Sequence, residues 1–392
     1  MRKITADWVF PVDSDPIQQG VIVVSDEGQI QSLGHRSSFD ISELEVYSGS
    51  IVPGFINTHC HLELSHMRGK VDTGTGLIPF ISNVVTRRQA TAEIIAEAIE
   101  KAENDMLRNG IVACGDISNV PDTFATKARG RMRYYTFVEM FDFLQDANAA
   151  ATFEQYLAVF EQIELHKDSR RSTVPHAPYS VSPTLFGLLN AHNSTQTDTT
   201  ISIHNQETPP ENALFEHGTG DFYDFYAKFG ISLHTFEPPK MTSIHYAIAQ
   251  MNPQHRTLFV HNTLTTAADI AAAQQWSDRT YWASCPNANL YIENRLPNYQ
   301  TFVEAGAKVT LGTDSLTSNW QLCILSEMQA IARFQSYIKF PTLLQWATLN
   351  GAQALGFDDT LGSLTVGKTP GILLLEHFDG INLTDKTSVR RL

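Results

Sequence analysis

Four short stretches carry residues able to hold a metal ion and move protons. His59-Cys60-His61 sets two histidines two residues apart, in the apolar run that opens at Ile51. Alternate residues on a strand share a face, so both imidazoles aim at one point while Cys60 turns away. Neutral imidazole ligates zinc, iron and nickel. An isolated H-x-H is more often a pair of ordinary polar residues, so the weight falls on what the rest of the chain adds. His204 ends a second apolar run with Glu207 three residues on, His261 ends a third, and Gly312-Thr313-Asp314-Ser315 ends a fourth. His59, His61 and His204 offer three nitrogens and Asp314 a carboxylate to one divalent ion, expected to be zinc, with iron as the alternative.

Such an ion brings the pKa of water from 15.7 to about 7, so hydroxide is available at neutral pH. Attack on an amidine-like carbon then needs a proton donor for the ring nitrogen and the leaving amine. Glu207 is placed for that role, His261 for accepting the water's proton or polarising the developing alkoxide, and Asp314 for sharing the relay. Plainer roles stay open at this level: a core histidine at 204, a solvated loop acid at 207, a structural His261, a helix N-cap at Asp314.

These residues need a scaffold that brings distant strand ends together. Strands are expected at 51–58, 111–116, 133–138, 172–176, 200–204, 257–261, 280–285 and 308–314, with helical or long loop sequence between them. The helical patterns include 83–103, 147–166, 182–193, 243–251, 266–275, 322–335 and 342–350. Pro175 weakens the fourth strand as a central one. Eight strands alternating with helices predict an α/β fold, a (β/α)8 TIM barrel over residues 51–356. The chemistry-bearing residues, His176 included, all fall at strand C-termini, where barrel active sites are built. Short strands and turns in 1–50 and again in 357–392 predict one small β-sandwich domain built from both ends of the chain.

Composition narrows the class. The chain has 392 residues, 42% hydrophobic, enough for a full core. A net charge of -14 argues against a nucleic-acid partner. Cys60, Cys114, Cys285 and Cys323 are scattered without C-x-x-C spacing, which reads as free thiols in a reducing compartment. Asp7, Asp13 and Asp15 interrupt any leader-like apolar segment, and no apolar stretch approaches the ~18 residues of a membrane span. A cytoplasmic protein without membrane partners is expected.

His59-Cys60-His61, His204-Asn205-Gln206-Glu207, His261 and Gly312-Thr313-Asp314-Ser315 together resemble the metal-dependent amidohydrolase superfamily, in its deaminase and chlorohydrolase branch. The likeness runs over nearly the whole chain, from Pro53-Gly54-Phe55-Ile56-Asn57 to Gly362-Ser363-Leu364. It implies a (β/α)8 barrel with a split β-sandwich, a small-molecule substrate, and often a homodimer. Two-metal relatives bridge their ions with a carboxylated Lys or a Glu, commonly after the fourth strand. Here that strand ends in His176, so one metal is expected, and Glu139 is the residue that could overturn this. The zinc cytidine deaminases are excluded, because His61-Leu62-Glu63 has no P-C-x-x-C to accompany it.

Within the branch, three segments resemble the aminofutalosine deaminases, which serve menaquinone biosynthesis. They are His61-Leu62-Glu63-Leu64-Ser65, Gly76-Leu77-Ile78-Pro79-Phe80-Ile81 followed by Arg87-Arg88, and His176-Ala177-Pro178-Tyr179-Ser180-Val181. That resemblance implies 6-amino-6-deoxyfutalosine as substrate. Phe80 and Tyr179 would line an aromatic pocket, Arg87 or Arg88 would pair with a carboxylate, and Glu63, His176 and Ser315 would lie near the ligand. A solvated helix face explains Arg87-Arg88 equally well, and a loop hydrogen bond or contact with His66 explains Glu63. Lys368-Thr369-Pro370-Gly371-Ile372 departs from the Ala-Asp pair usual in relatives, far from the site. The alternatives are deaminases of S-adenosylhomocysteine, methylthioadenosine or guanine, and triazine chlorohydrolases. More remote is a non-catalytic binding protein on the same fold, which the intact ligand set disfavours.

Overall fold

The computed structural model describes residues 1–166 and 168–392. Its centre is eight parallel strands: β1 (Phe55–Cys60), β2 (Ile111–Ser118), β3 (Arg133–Met140), β4 (Arg170–Pro175), β5 (Thr200–Asn205), β6 (Arg256–His261), β7 (Thr280–Ser284) and β8 (Val309–Leu311). They form two four-stranded sheets in chain order, β1 to β4 and β5 to β8. Nearly every strand residue is buried, as expected of parallel strands covered on both faces.

The edges of the two sheets meet at both seams. At one, His204 N donates to His176 O at 2.9 Å and Ser172 Oγ donates to Thr200 O at 2.7 Å. At the other, Thr313 N and Asp314 N both donate to His59 O at 3.0 Å, and Thr58 Oγ1 donates to Leu311 O at 2.9 Å. This second seam ties His59 of β1 directly to Asp314, after β8, through a backbone hydrogen bond.

Helices follow the strands and bury their apolar faces on them. Ser182 caps Pro183–Asn193, its hydroxyl accepting from Leu185 N, with Pro183 at the first helical position. Thr266 and Asp269 form a reciprocal capping box on Ala267–Trp276. One large cluster unites strand residues such as Ile56, Phe137, Ile203 and Phe259 with helix residues such as Met106, Leu185, Ile270 and Met328.

The ends of the chain form two further sheets. One takes Ile30–His35, Gly20–Val24, Arg2–Thr5 and Glu45–Val46 in that order. The other takes Ser388–Arg391, Ile372–Glu376, Ser50–Pro53, Trp8–Val9 and Ile17–Gln18. Ile4, Ile22 and Val24 of the first join Val9, Ile51 and Leu374 of the second in one apolar cluster.

Three sequence expectations change. The strand expected at 51–58 is two strands. Ser50–Pro53 pairs antiparallel with Ile372–Leu375, and Gly54 separates it from β1. A side chain at Gly54 would meet Val112 Cγ1 at 2.4 Å and Pro370 O at 2.6 Å, so only glycine passes this crossing. The helix expected at 83–103 is also two, Leu77–Arg87 and Ala92–Arg108, because Thr91 is extended and starts the second. The strand expected at 308–314 stops at Leu311, and Asp314 takes φ 57°. Among the described residues no helix is long and apolar enough to cross a membrane.

Candidate active site

His59, His61, His204, His261 and Asp314 converge at the C-terminal ends of the parallel strands. His59 Nε2 and His61 Nε2 face each other at 3.1 Å, and Asp314 Oδ1 lies 3.5 Å from the second and 3.8 Å from the first. Asp314 Oδ2 accepts from Ser318 Oγ at 2.6 Å, so the other oxygen stays aimed at the imidazoles. His204 Nδ1 donates to His176 O at 2.8 Å, and His261 Nδ1 donates to Asn289 Oδ1 at 2.9 Å. Both rings therefore present an unprotonated Nε2, the form a metal ligand requires. Cys60 turns away into the apolar core.

These residues fit a divalent cation. Ligand atoms of His59, His204 and His261 lie within 4.8 Å of one another, as do those of His59, His61 and Asp314. Burial pushes the imidazoles of His59, His61, His204 and His261 below their ordinary pKa, which keeps their electron pairs free. His59 Nδ1 is buried without a hydrogen-bond partner among the described residues, while its Nε2 faces another imidazole. A cation resolves the opposed nitrogens of His59 and His61. His261 is thus a candidate ligand as well as the proton acceptor its sequence position suggests.

Glu207 stands beside this centre. Its Oε1 lies 3.6 Å from His261 Nε2. Burial, with Asp314 and Glu211 nearby, raises its carboxyl well above the usual range. The segment is held by Glu211, whose two carboxylate oxygens accept from Gln206 N and Glu207 N at 3.0 Å each. Gln206 sits at φ 46°, so the clamp secures an uncommon backbone conformation.

A cavity of ≈ 190 Å³ opens above the histidines. Phe80, Tyr179, His176, Arg88 and Ser315 line it, as the sequence suggests, together with Phe141, Phe143, Phe225 and Tyr226. Arg87 and Glu63 are not part of its lining. Arg87 is exposed and donates to Lys70 O at 3.1 Å. Glu63 lies in a 3-10 turn, not on an extension of β1, and accepts from Asn119 N at 2.9 Å and Val120 N at 3.2 Å. Arg88 covers it at 3.4 Å, and burial raises its carboxyl to about 7. Asp314 caps no helix, and its left-handed backbone turns the carboxylate inward.

Glu139 proves to be a wall residue of the same cavity. Its Oε2 accepts from Asn119 Nδ2 at 3.3 Å, its Oε1 is 3.4 Å from His204 Nδ1, and burial raises the carboxyl to about 8. Its ligand atom lies within 4.8 Å of those of His176 and His204. Sequence reasoning missed Glu211, Asn289, Ser318 and Asn119. Glu211 was findable, since it stands four residues after Glu207. The others meet the site only through folding.

The family model for amidohydrolases matches residues 50–388. An adenosine deaminase of Helicobacter pylori is 26% identical over 350 residues, covering 86% of this chain and 83% of the relative. A 5-methylthioadenosine/S-adenosylhomocysteine deaminase of Saccharophagus degradans is 25% identical over 396 residues, covering 95% and 82%. The crystal structure of Helicobacter pylori aminofutalosine deaminase in complex with methylthio-coformycin superposes with TM-score 0.79 at 22% identity, covering 98% of this chain and 94% of that one. With the match spanning the strands that carry every group described above, the chain belongs to the amidohydrolase family and is a hydrolase of carbon–nitrogen bonds.

Proposed function

We propose that the protein is a metal-dependent hydrolytic deaminase of an adenosine-like nucleoside, with 6-amino-6-deoxyfutalosine the leading candidate and a place in menaquinone synthesis. The reading takes the eight parallel strands as a closed (β/α)8 barrel over 51–356, with a β-sandwich from 1–50 and 357–392. The observation that carries it is the pairing of Glu207 with His261 at 3.6 Å beside a buried set of three further histidines and Asp314. His59, His61, His204 and Asp314 would hold one divalent ion, zinc by preference. Bound there, it would make water acidic enough to attack at neutral pH.

The chain's own groups supply the rest. Glu207 is kept protonated by burial, so it gives a proton to the ring nitrogen and, after recovering one, to the departing amine. His261 is neutral, with Nδ1 occupied by Asn289, so its Nε2 accepts the proton of the attacking water. The aromatic wall of the cavity excludes bulk water and stacks a flat heterocycle. Arg88, on the same wall, is the group that would select a carboxylate-bearing substrate.

The test is ammonia release by the metal-loaded protein from aminofutalosine, methylthioadenosine, S-adenosylhomocysteine, adenosine and guanine. Preference for aminofutalosine is expected. Faster release from methylthioadenosine or S-adenosylhomocysteine would move the assignment to those deaminases. No release from any of them would overturn the nucleoside reading and direct the search to chloride leaving groups on triazines.

A further inference from the structure

His59 and His61 are secured differently. His59 is gripped by backbone, its carbonyl accepting from Thr313 N and Asp314 N at 3.0 Å each. His61 lies one residue beyond the end of β1, where the ladder to β2 gives out at the pairing of Cys60 with Asp116. The register slips just before this point. Asn57 pairs with Cys114 and Cys60 with Asp116, so β1 carries one residue more than β2 across the stretch that includes His59. The next bond is made by a side chain. Asp116 Oδ1 accepts at 2.8 Å from Leu62 N, the first N–H after His61.

Asp116 is fully buried, and one ammonium holds it. Lys127 stands on the short helix Phe124–Lys127 that follows β2. Its Nζ lies 2.6 Å from Asp116 Oδ2 and donates to Ser118 Oγ at 3.0 Å and Thr136 Oγ1 at 3.2 Å. The two carboxylate oxygens thus have separate tasks: Lys127 fixes one, and the other holds the backbone next to His61. Glu63 returns the grip from the opposite side, its Oε2 accepting from Asn119 N and Val120 N just past β2. A buried ion pair adds little net stability, because desolvation offsets the attraction. What a fixed carboxylate supplies here is direction. Neither Asp116 nor Lys127 lines the cavity above the histidines, so their removal reaches the site through the turn they hold.

We propose that Asp116, held by Lys127, is a positioning residue for the metal centre: it fixes the turn at Leu62 and thereby aims the His61 imidazole. The proposal rests on the reading of His61 as a metal ligand and adds what directs it.

The experiment measures the dissociation constant for zinc by chelator competition, the absorption spectrum of the cobalt-loaded protein and the unfolding midpoint of the metal-free protein. Asp116→Ala/Lys127→Met replaces the pair with apolar groups and leaves neither charge buried alone. It should unfold near the wild-type midpoint, bind zinc about ten- to a hundredfold more weakly and shift the cobalt bands. Asp116→Asn/Lys127→Met returns an oxygen to Leu62 N, with Ser118 Oγ free to accept from the amide, and should regain part of the affinity. Wild-type zinc affinity and cobalt bands in the first variant would overturn the proposal and leave the pair as a fastener of strands. Equal affinities in the two double variants would also overturn it, since the bond to Leu62 N would then carry no weight. If the first variant does not fold, the second decides alone: weakened zinc binding with shifted bands supports the proposal, and wild-type values overturn it. His61→Ala separates the two readings. Wild-type zinc affinity there would overturn the ligand reading and the proposal with it, whereas zinc lost there but unchanged in the pair variants would overturn the positioning alone.

Discussion

The two ends of the parallel strands handle buried charge in opposite ways. At their N-terminal ends, acids and bases are matched. Asp198 receives Arg170 at 2.6 Å, meets Arg279 at 3.6 Å and also bonds the buried Arg256. Burial alone would raise its carboxyl, but the hydrogen bonds of Arg256 and Arg170 outweigh this and hold it below the ordinary range. At the C-terminal ends, Glu139, Glu207 and Glu211 are buried without a cationic side chain in contact, and burial raises all three. One end uses charge to fasten strands. The other leaves Glu139 and Glu207 without such a partner beside the histidines, and burial raises these carboxyls and lowers the imidazoles. The missing positive charge at the second end is what a divalent ion provides.

The largest expected effects test that contrast at the metal. His204→Ala, or treatment of the native protein with a chelator, should remove the ion and abolish turnover; a fully metallated His204→Ala would remove His204 from the ligand set. Glu207→Gln comes next. It should keep the metal and lose about 10²–10⁴-fold in kcat, measured alongside metal content. Wild-type turnover would exclude Glu207 from the proton path.

Glu211→Gln leaves one of two backbone N–H groups without its carboxylate partner, so a smaller loss of about ten- to a hundredfold is expected. This variant also probes pH. The Glu211 carboxyl, raised to about 7, ionises more readily in the unfolded chain, so its contribution disfavours the fold as pH climbs from about 4.5 to 7. Glu211→Gln should flatten the decline of stability over that window. Asp198→Asn at the other end has the opposite sign. Its contribution is present above the ordinary aspartate pKa and is lost as pH falls through the depressed value. Allowing for the screening of a half-exposed group, it should cost about 1 kcal/mol at pH 7, less in acid, with kcat untouched. A changed kcat would mean that the two ends are coupled.

The smallest effect separates neighbours. Arg88→Ala should raise KM for a carboxylate-bearing nucleoside and leave adenosine nearly unchanged, whereas Arg87→Ala should do neither. Equal behaviour of the two variants would retire the carboxylate contact.

The catalytic end was legible where local periodicity decides position. His59 and His61 share a strand face, and His204, His261 and Asp314 each terminate an apolar run; the structure brings all five together. Legibility failed where the path between elements decides. Arg87 and Arg88 are adjacent in a helical pattern, and only the packing of Leu77–Arg87 shows which one meets the cavity. Glu63 stands only two residues past His61, and the 3-10 turn that carries it away from the cavity lining shows only in the folded chain. Gly54 read as part of a continuous strand, because the crossing of Val112 and Pro370 that requires it comes from distant sequence.

That crossing has a consequence for the order in which a ribosome delivers the fold. The strand that carries His59 and leads into His61 is joined through Gly54 to Ser50–Pro53, whose antiparallel neighbour is Ile372–Glu376. Asp314 is synthesised more than 250 residues after His59, and the neighbour that anchors Ser50–Pro53 later still. Through most of its synthesis the nascent protein carries a pair of histidines with neither their carboxylate partner nor their anchoring sheet. The assembled centre is therefore a late event, out of reach until the C-terminal segment has left the exit tunnel.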